Sequence, residues 1–211
     1  MPDPLPKIWN TPSRIDSRNG RFIDFHINRP QIDYVNEVER HDPVSPDHAP
    51  DFIYFILRDL KSSYKQKLPD LMSIISGILV VSQKLHDLLL QFNLGATSLF
   101  EVPLYEYDQK TLRPGTWYIL HIAVKKQTVI PERSENVRES PTKGFWGASA
   151  NQDDVLVVHA SSAIGEDLWV DPYFHDRTFL SDRLKTAIDT AKKTDGLRIM
   201  RLPMRPCVVI G

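Results

Sequence analysis

Apolar and polar positions alternate along this chain in a way that brings out one segment twice. The first copy is VVSQKLHDLLLQFNLGATSLFEVP, from Val80 to Pro103, and the second is FLSDRLKTAIDTAKKTDGLRIMRLP, from Phe179 to Pro203. Each opens on an apolar pair and a serine, continues through an amphipathic run to a glycine, and ends in an apolar stretch closed by proline. In the first copy Leu85, Leu88, Leu89 and Phe92 stand at i, i+3, i+4 and i+7; in the second Leu184, Ala187, Ile188 and Ala191 do so. That spacing predicts one buried face of a helix. Ser82 and Ser181 are placed to cap these helices through a free backbone N–H one turn in, and Gly95 and Gly196 to end them. Both copies therefore read as strand, helix, strand. A true duplication and a chance similarity of common local structure both remain open.

The remaining pattern predicts further strands. Arg21–Ile27 alternates, and Asp51–Leu60 is rich in β-branched and aromatic residues. Leu99–Tyr107 and Trp117–Val124, separated by a turn over Asp108–Gly115, predict an antiparallel hairpin. Val155–His159 and Leu168–Asp171 predict short strands. Residues 1–20 and 31–50 read as irregular, because prolines at positions such as 2, 4, 6, 43, 46 and 50 remove donors and fix φ. Asp70–Gly77 reads as a short helix or turn. Residues 131–154, polar with Pro131, Pro141, Gly144 and Gly147, read as a long loop, the most mobile internal segment. The fold class expected is α+β, with a mixed or antiparallel sheet, two similar strand–helix–strand elements and long loops. The expected organisation is an irregular N-terminal region over 1–67 with one or two strands, a core over 68–203 and a tail over 204–211.

Composition narrows the picture modestly. With 211 residues, 41% of them hydrophobic and 25% charged, the chain is long enough for one sizeable core. A formal net charge of −1 gives no global reason to expect nucleic acid or an anionic membrane as partner. Cys207 is the single cysteine, so no intrachain disulfide forms. The start, MPDPLPKIWN, lacks a basic-then-apolar signal pattern, and no apolar run spans a bilayer. A cytoplasmic protein is expected.

Candidate chemistry is sparse. His41 and His48, with Asp42 and Asp47, are the densest group of metal-ligand types, but they match no zinc spacing and read as a proline-rich loop. His175 and Asp176 are sequence neighbours, which seldom face each other as a catalytic pair must. His121 and His159 lie on expected strands and read as core histidines donating to backbone carbonyls. Ser149 lies in GASAN, without the second glycine of a nucleophile elbow. The pairs Asp153–Asp154 and Glu166–Asp167 read as solvated turn residues. Cys207 has no activating neighbour beyond Arg205. No catalytic residue, metal site or cofactor site is expected. Phe145 and Trp146, set among small and polar residues in SPTKGFWGASANQDD, are the candidate partner-binding residues; the other reading folds both rings over the core.

The order of these segments resembles a family of bacterial immunity proteins, the eleventh family of polymorphic-toxin immunity proteins. The resemblance runs from about residue 68 to 203. It rests on LPDLMSIISGILVVSQKLHDLL, with Asp70, Gly77, Val81, Ser82, Leu85 and Leu89 at the family's positions, then on LFEVPLYEYD, TWYILHIA, DLWVDPYF, FLSDRLKTAI and GLRIMRLP. It implies a protein that binds a cognate toxin and blocks it by steric occlusion, with no enzymatic activity and no cofactor. It carries no active-site residues and does not locate the interface. An enzyme of unrecognised type using His175 or His121 as base, and an oligomeric scaffold presenting the long loop, are the alternatives.

Overall fold

A computed structural model describes residues 5–12, 23–27, 30–56, 68–74, 78–142, 144–148, 154–199 and 203–211. In chain order the strands are β1 (Ile8–Pro12), β2 (Ile23–His26), β3 (Phe52–Phe55), β4 (Leu71–Ser73), β5 (Leu79–Ser82), β6 (Ser98–Glu101), β7 (Leu104–Tyr105), β8 (Trp117–His121), β9 (Val137–Glu139), β10 (Trp146–Ala148), β11 (Val157–His159), β12 (Leu168–Asp171), β13 (Phe174–Ser181), β14 (Arg205–Pro206) and β15 (Val208–Ile210). The α-helices are α1 (Gln31–Arg40), α2 (Gln83–Leu89) and α3 (Asp182–Thr194). The fold class is α+β, as the sequence pattern predicts.

Two antiparallel rows of strands carry the structure. One has the order β4-β5-β8-β6. The other runs β12-β13-β1-β14, and β10 and β9 extend its sheet from the start of β13, where Trp146 pairs in parallel with Phe174. The inner faces of both rows, with the apolar stripes of α2 and α3, form one central core: Leu71, Val81, Leu85 and Leu89 meet Leu168, Leu180, Leu184 and Ile188. On the outer face of the first row, Met72, Val80 and Ile119 pack under α1 and the small sheet β2-β3-β7. On the outer face of the second, Trp169, Phe179 and Ile8 pack against Val158 and Val209 from β11 and β15.

The helices begin as their serines predict. Ser82 Oγ accepts from the Leu85 N–H and Ser181 Oγ from the Leu184 N–H, so each satisfies one of the orphan donors of a helix start. Leu85 and Leu89 are buried, while Leu88 and Phe92 are only partly so and close the flank of the core.

Several expectations need correction. Residues 31–50 are not a loop throughout. Residues 31–40 form α1, which buries Tyr34 and ends on His41 in the left-handed conformation at φ 53°. Residues 8–12 are not irregular but form β1, between β13 and β14. Residues 71–73, expected as helix or turn, are β4. The expected closing strand Leu197–Leu202 is not seen: 197–199 belong to no strand, and 200–202 lie outside the described residues. The expected tail over 204–211 supplies β14 and β15. The 131–154 segment, expected as a mobile loop, contains β9 and β10; within it 143 and 149–153 lie outside the described residues.

Leu89→Ala should therefore cost about 2–5 kcal/mol, and Leu88→Ala clearly less, as measured by denaturant unfolding. Thr11 Oγ1 is buried without a hydrogen-bond partner beside a small cavity of about 50 Å³ lined by Leu85, Leu120 and Leu184. Thr11→Val removes that orphaned polar atom at nearly constant shape and should raise stability by about 1 kcal/mol.

Candidate functional site

Phe145 and Trp146 sit where β10 begins, and the backbone around them is fixed at both ends. The Trp146 N–H donates to Tyr173 O at 2.7 Å, and the Ser140 N–H donates to Phe145 O at 2.7 Å. Gly144 makes the turn at φ +86°, and its N–H reaches Glu139 Oε1 at 2.9 Å. Only glycine adopts that backbone without strain. Trp146 packs against the outer core beside Phe174, as in the reading that folds the ring over the core. Phe145 is half-buried, and its ring lies 6.4 Å from that of Tyr173, which is 51% exposed.

Tyr173 is itself held in place. Asp171, almost fully buried, accepts from the Tyr173 N–H through Oδ1 and from the Thr128 and Val129 N–H groups through Oδ2, each at 2.8 Å. The result is an aromatic ridge in which Phe145 borders one hollow and Tyr173 another. One hollow, about 300 Å³, is lined by Arg40, His41, Lys125, Phe145 and Arg177; the other, about 260 Å³, by Gln127, Pro131, Glu132, Trp146 and Tyr173. An ordered aromatic ridge bordered by arginine has the composition of a protein-binding hot spot.

The histidines that sequence reasoning singled out are dispersed. His121 is buried, and its Nε2–H donates to Asp42 O at 2.6 Å, the role expected of it. Burial pulls its pKa below the ordinary value, against the opposing effect of the Asp42 carbonyl. His41 donates from Nδ1 to Ile122 O at 2.9 Å, so the two rings strap the end of α1 to the end of β8. His48 Nδ1 lies 3.6 Å from Glu37, and Asp42 pairs with Lys125. Among the described residues no group of three potential ligands converges on a metal. His159, expected in the core, is exposed. The side chains of His175 and Asp176, along with Ser149 and Asp153, lie outside the described residues. Burial pushes the Cys207 thiol up to about 12, which leaves no thiolate at neutral pH.

Two carboxylates expected in solvated turns are buried and paired. Asp154 is not a solvated turn residue: its side chain is 4% exposed and pairs with Arg177 at 2.8 Å. Asp167 is 1% exposed. It accepts from Ser181 Oγ and from Arg183 Nε and Nη2, each at 2.5 Å, and from the Asn93 N–H at 2.9 Å. Asp70 makes a parallel set, accepting from Ser82 Oγ at 2.5 Å and the Arg198 N–H at 2.6 Å. The available signal was an aspartate 12 residues before one capping serine and 14 before the other.

No model of a known protein family matches the chain, and no curated protein matches it. Among the described residues no helix is long and apolar enough to cross a membrane.

Burial alone would raise the Asp167 pKa, but the bonds from Arg183, Ser181 and the Asn93 amide outweigh it and hold the carboxyl below its usual range. A carboxylate depressed in the folded state adds stability above its unfolded pKa of about 3.9 and loses it as pH falls through the folded value. Asp167→Asn should therefore cost about 2–3 kcal/mol at pH 7. The deficit should hold down to about pH 4 and shrink below it, as read from urea unfolding at each pH.

Proposed function

We propose that this protein is an immunity protein that binds a cognate toxin and blocks it by occupying its surface, without chemistry of its own. The family resemblance supplies the class of partner. The observation that carries the mode of action is the Phe145–Tyr173 ridge, held by backbone pairing and by Asp171 so that little ordering entropy is lost on contact. The Arg40 side chain, 66% exposed at the rim and 3.5 Å from Asp42, adds a polar contact at the edge of this surface. The histidines His41 and His121 support the same reading, since both are committed to backbone carbonyls.

The test uses the product of a toxin gene encoded beside this one, co-expressed and titrated against purified variants; absence of such a gene would count against the proposal. Phe145→Ala together with Tyr173→Ala should weaken binding by about 1–3 kcal/mol with the melting temperature nearly unchanged. Trp146→Ala, which opens a hole in the outer core, should instead lower stability by about 3 kcal/mol. His121→Ala and His159→Ala should protect in proportion to their folded fraction. A histidine variant that is fully folded and binds the toxin, yet fails to protect, would overturn occlusion in favour of catalysis.

A further inference from the structure

We infer that the chain is two copies of one five-element unit, related by an approximate two-fold rotation, and that β1 is the displaced last strand of the second copy. The first unit is β4, β5, α2, β6, β8. The second is β12, β13, α3, β14, with β1 arriving from the other end of the chain.

The correspondence is residue by residue. Along β5 and into the helix it runs at a constant 99 residues: Val80 with Phe179, Val81 with Leu180, Ser82 with Ser181, Leu85 with Leu184, Leu89 with Ile188. The ladders agree. Leu71 faces Val81 and Met72 faces Val80, while Leu168 faces Leu180 and Trp169 faces Phe179. Val81 faces Tyr118 and Val80 faces Ile119, while Leu180 faces Trp9 and Phe179 faces Asn10. Beyond the helix the offset becomes 105, matching Glu101, opposite Tyr118, with Pro206, opposite Trp9. The helices account for the change, because α2 has seven residues and α3 has 13.

Side chains outside the core follow the same mapping. Tyr118 Oη donates to Gln83, the first residue of α2, at 2.7 Å, and its ring stacks on His86 at 3.8 Å. Trp9 Nε1 donates to Asp182, the first residue of α3, at 2.8 Å, and Lys185 lies over its ring at 3.9 Å. Gln83 matches Asp182 and His86 matches Lys185 at the same offset of 99. Chance resemblance between capped helices does not extend to a strand from the opposite end of the chain.

The two-fold relation follows from reciprocity. Asp70 of the first unit accepts the Arg198 N–H, beyond the helix of the second, and the Asp70 N–H donates to Arg198 O at 2.8 Å. Asp167 of the second accepts the Asn93 N–H, beyond the helix of the first, and its own N–H donates to Asn93 O at 2.8 Å. Asn93 and Arg198 are again 105 apart. Contacts exchanged in both directions define an isologous, closed pairing, which is how two separate copies of the unit would associate as a dimer.

Two experiments on the full chain test this. The first is a circular permutant in which residues 1–22 follow Gly211 through a short Gly/Ser linker. The Cys207 N–H already donates to Ile8 O at 2.9 Å, so with β15 left in place Gly211, the linker and residues 1–7 have only a short distance to span. It should fold, melt within about 5 °C of the parent, and keep the Trp9 and Asn10 amides protected from exchange. The second reads amide exchange in the parent order. Asp70→Ala should speed exchange at Arg198, and Asp167→Ala at Asn93, each by about tenfold or more. An unfolded permutant, free exchange at Trp9, or no change at either cross-unit amide would overturn the inference.

Discussion

Asp70 and Asp167 are the pair of contacts on which this structure hinges. Each buried carboxylate holds two things at once: the capping serine of its own helix and a backbone amide that follows the other helix. Charge-assisted bonds of this kind are worth more than neutral ones, and a buried carboxylate without them would be costly. One residue type at two positions thus starts both helices, sets the entry of both strand pairs and ties the two halves across the central core.

The scaffold and the candidate binding surface divide cleanly. The paired units account for β4, β5, α2, β6 and β8 and for their counterparts. Phe145, Trp146 and Tyr173 lie outside that correspondence. The first two belong to the β9–β10 hairpin in the chain between the units; Tyr173 lies between β12 and β13, where the span from Leu168 to its partner Leu180 is two residues longer than that from Leu71 to its partner Val81. A rigid symmetric core lets such added segments vary without loss of the fold, because loop length adds little to stability cost. That division suits a protein whose contact surface must match one particular partner.

Where helices and hairpins were legible, local pattern and tertiary packing agree. The Ser-capped stripes bury Leu85, Leu89, Leu184, Ile188 and Ala191, and the Trp117 strand is buried throughout. Helix α1 was hidden because Gln31–Arg40 is mostly polar, buries only Tyr34 and begins at Pro30 with no side-chain cap. Strand β1 depends on β13 and β14, partners distant in sequence, and β9 and β10 form a hairpin of only three residues a side; periodicity over three to five residues finds none of them. Asp167 resembles a turn residue in sequence because its neighbour is acidic and its partners Asn93 and Arg183 come from elsewhere in the chain. Of the candidate site, the aromatic pair was visible in sequence, but Tyr173 and the hollows beside it depend on Asp171 folding back onto Thr128 and Val129.

Native-state hydrogen exchange across a denaturant series tests the central claim most directly. If the two carboxylates join the halves into one cooperative body, the amides of Asp70, Asn93, Asp167 and Arg198 should exchange through the same opening as Val81 and Leu180 in the central core. Their exchange free energies should then merge on a single line of common slope. Two separate openings, one for the β4-β5-β8-β6 row with α2 and another at different denaturant for the β12-β13-β1-β14 row with α3, would contradict it.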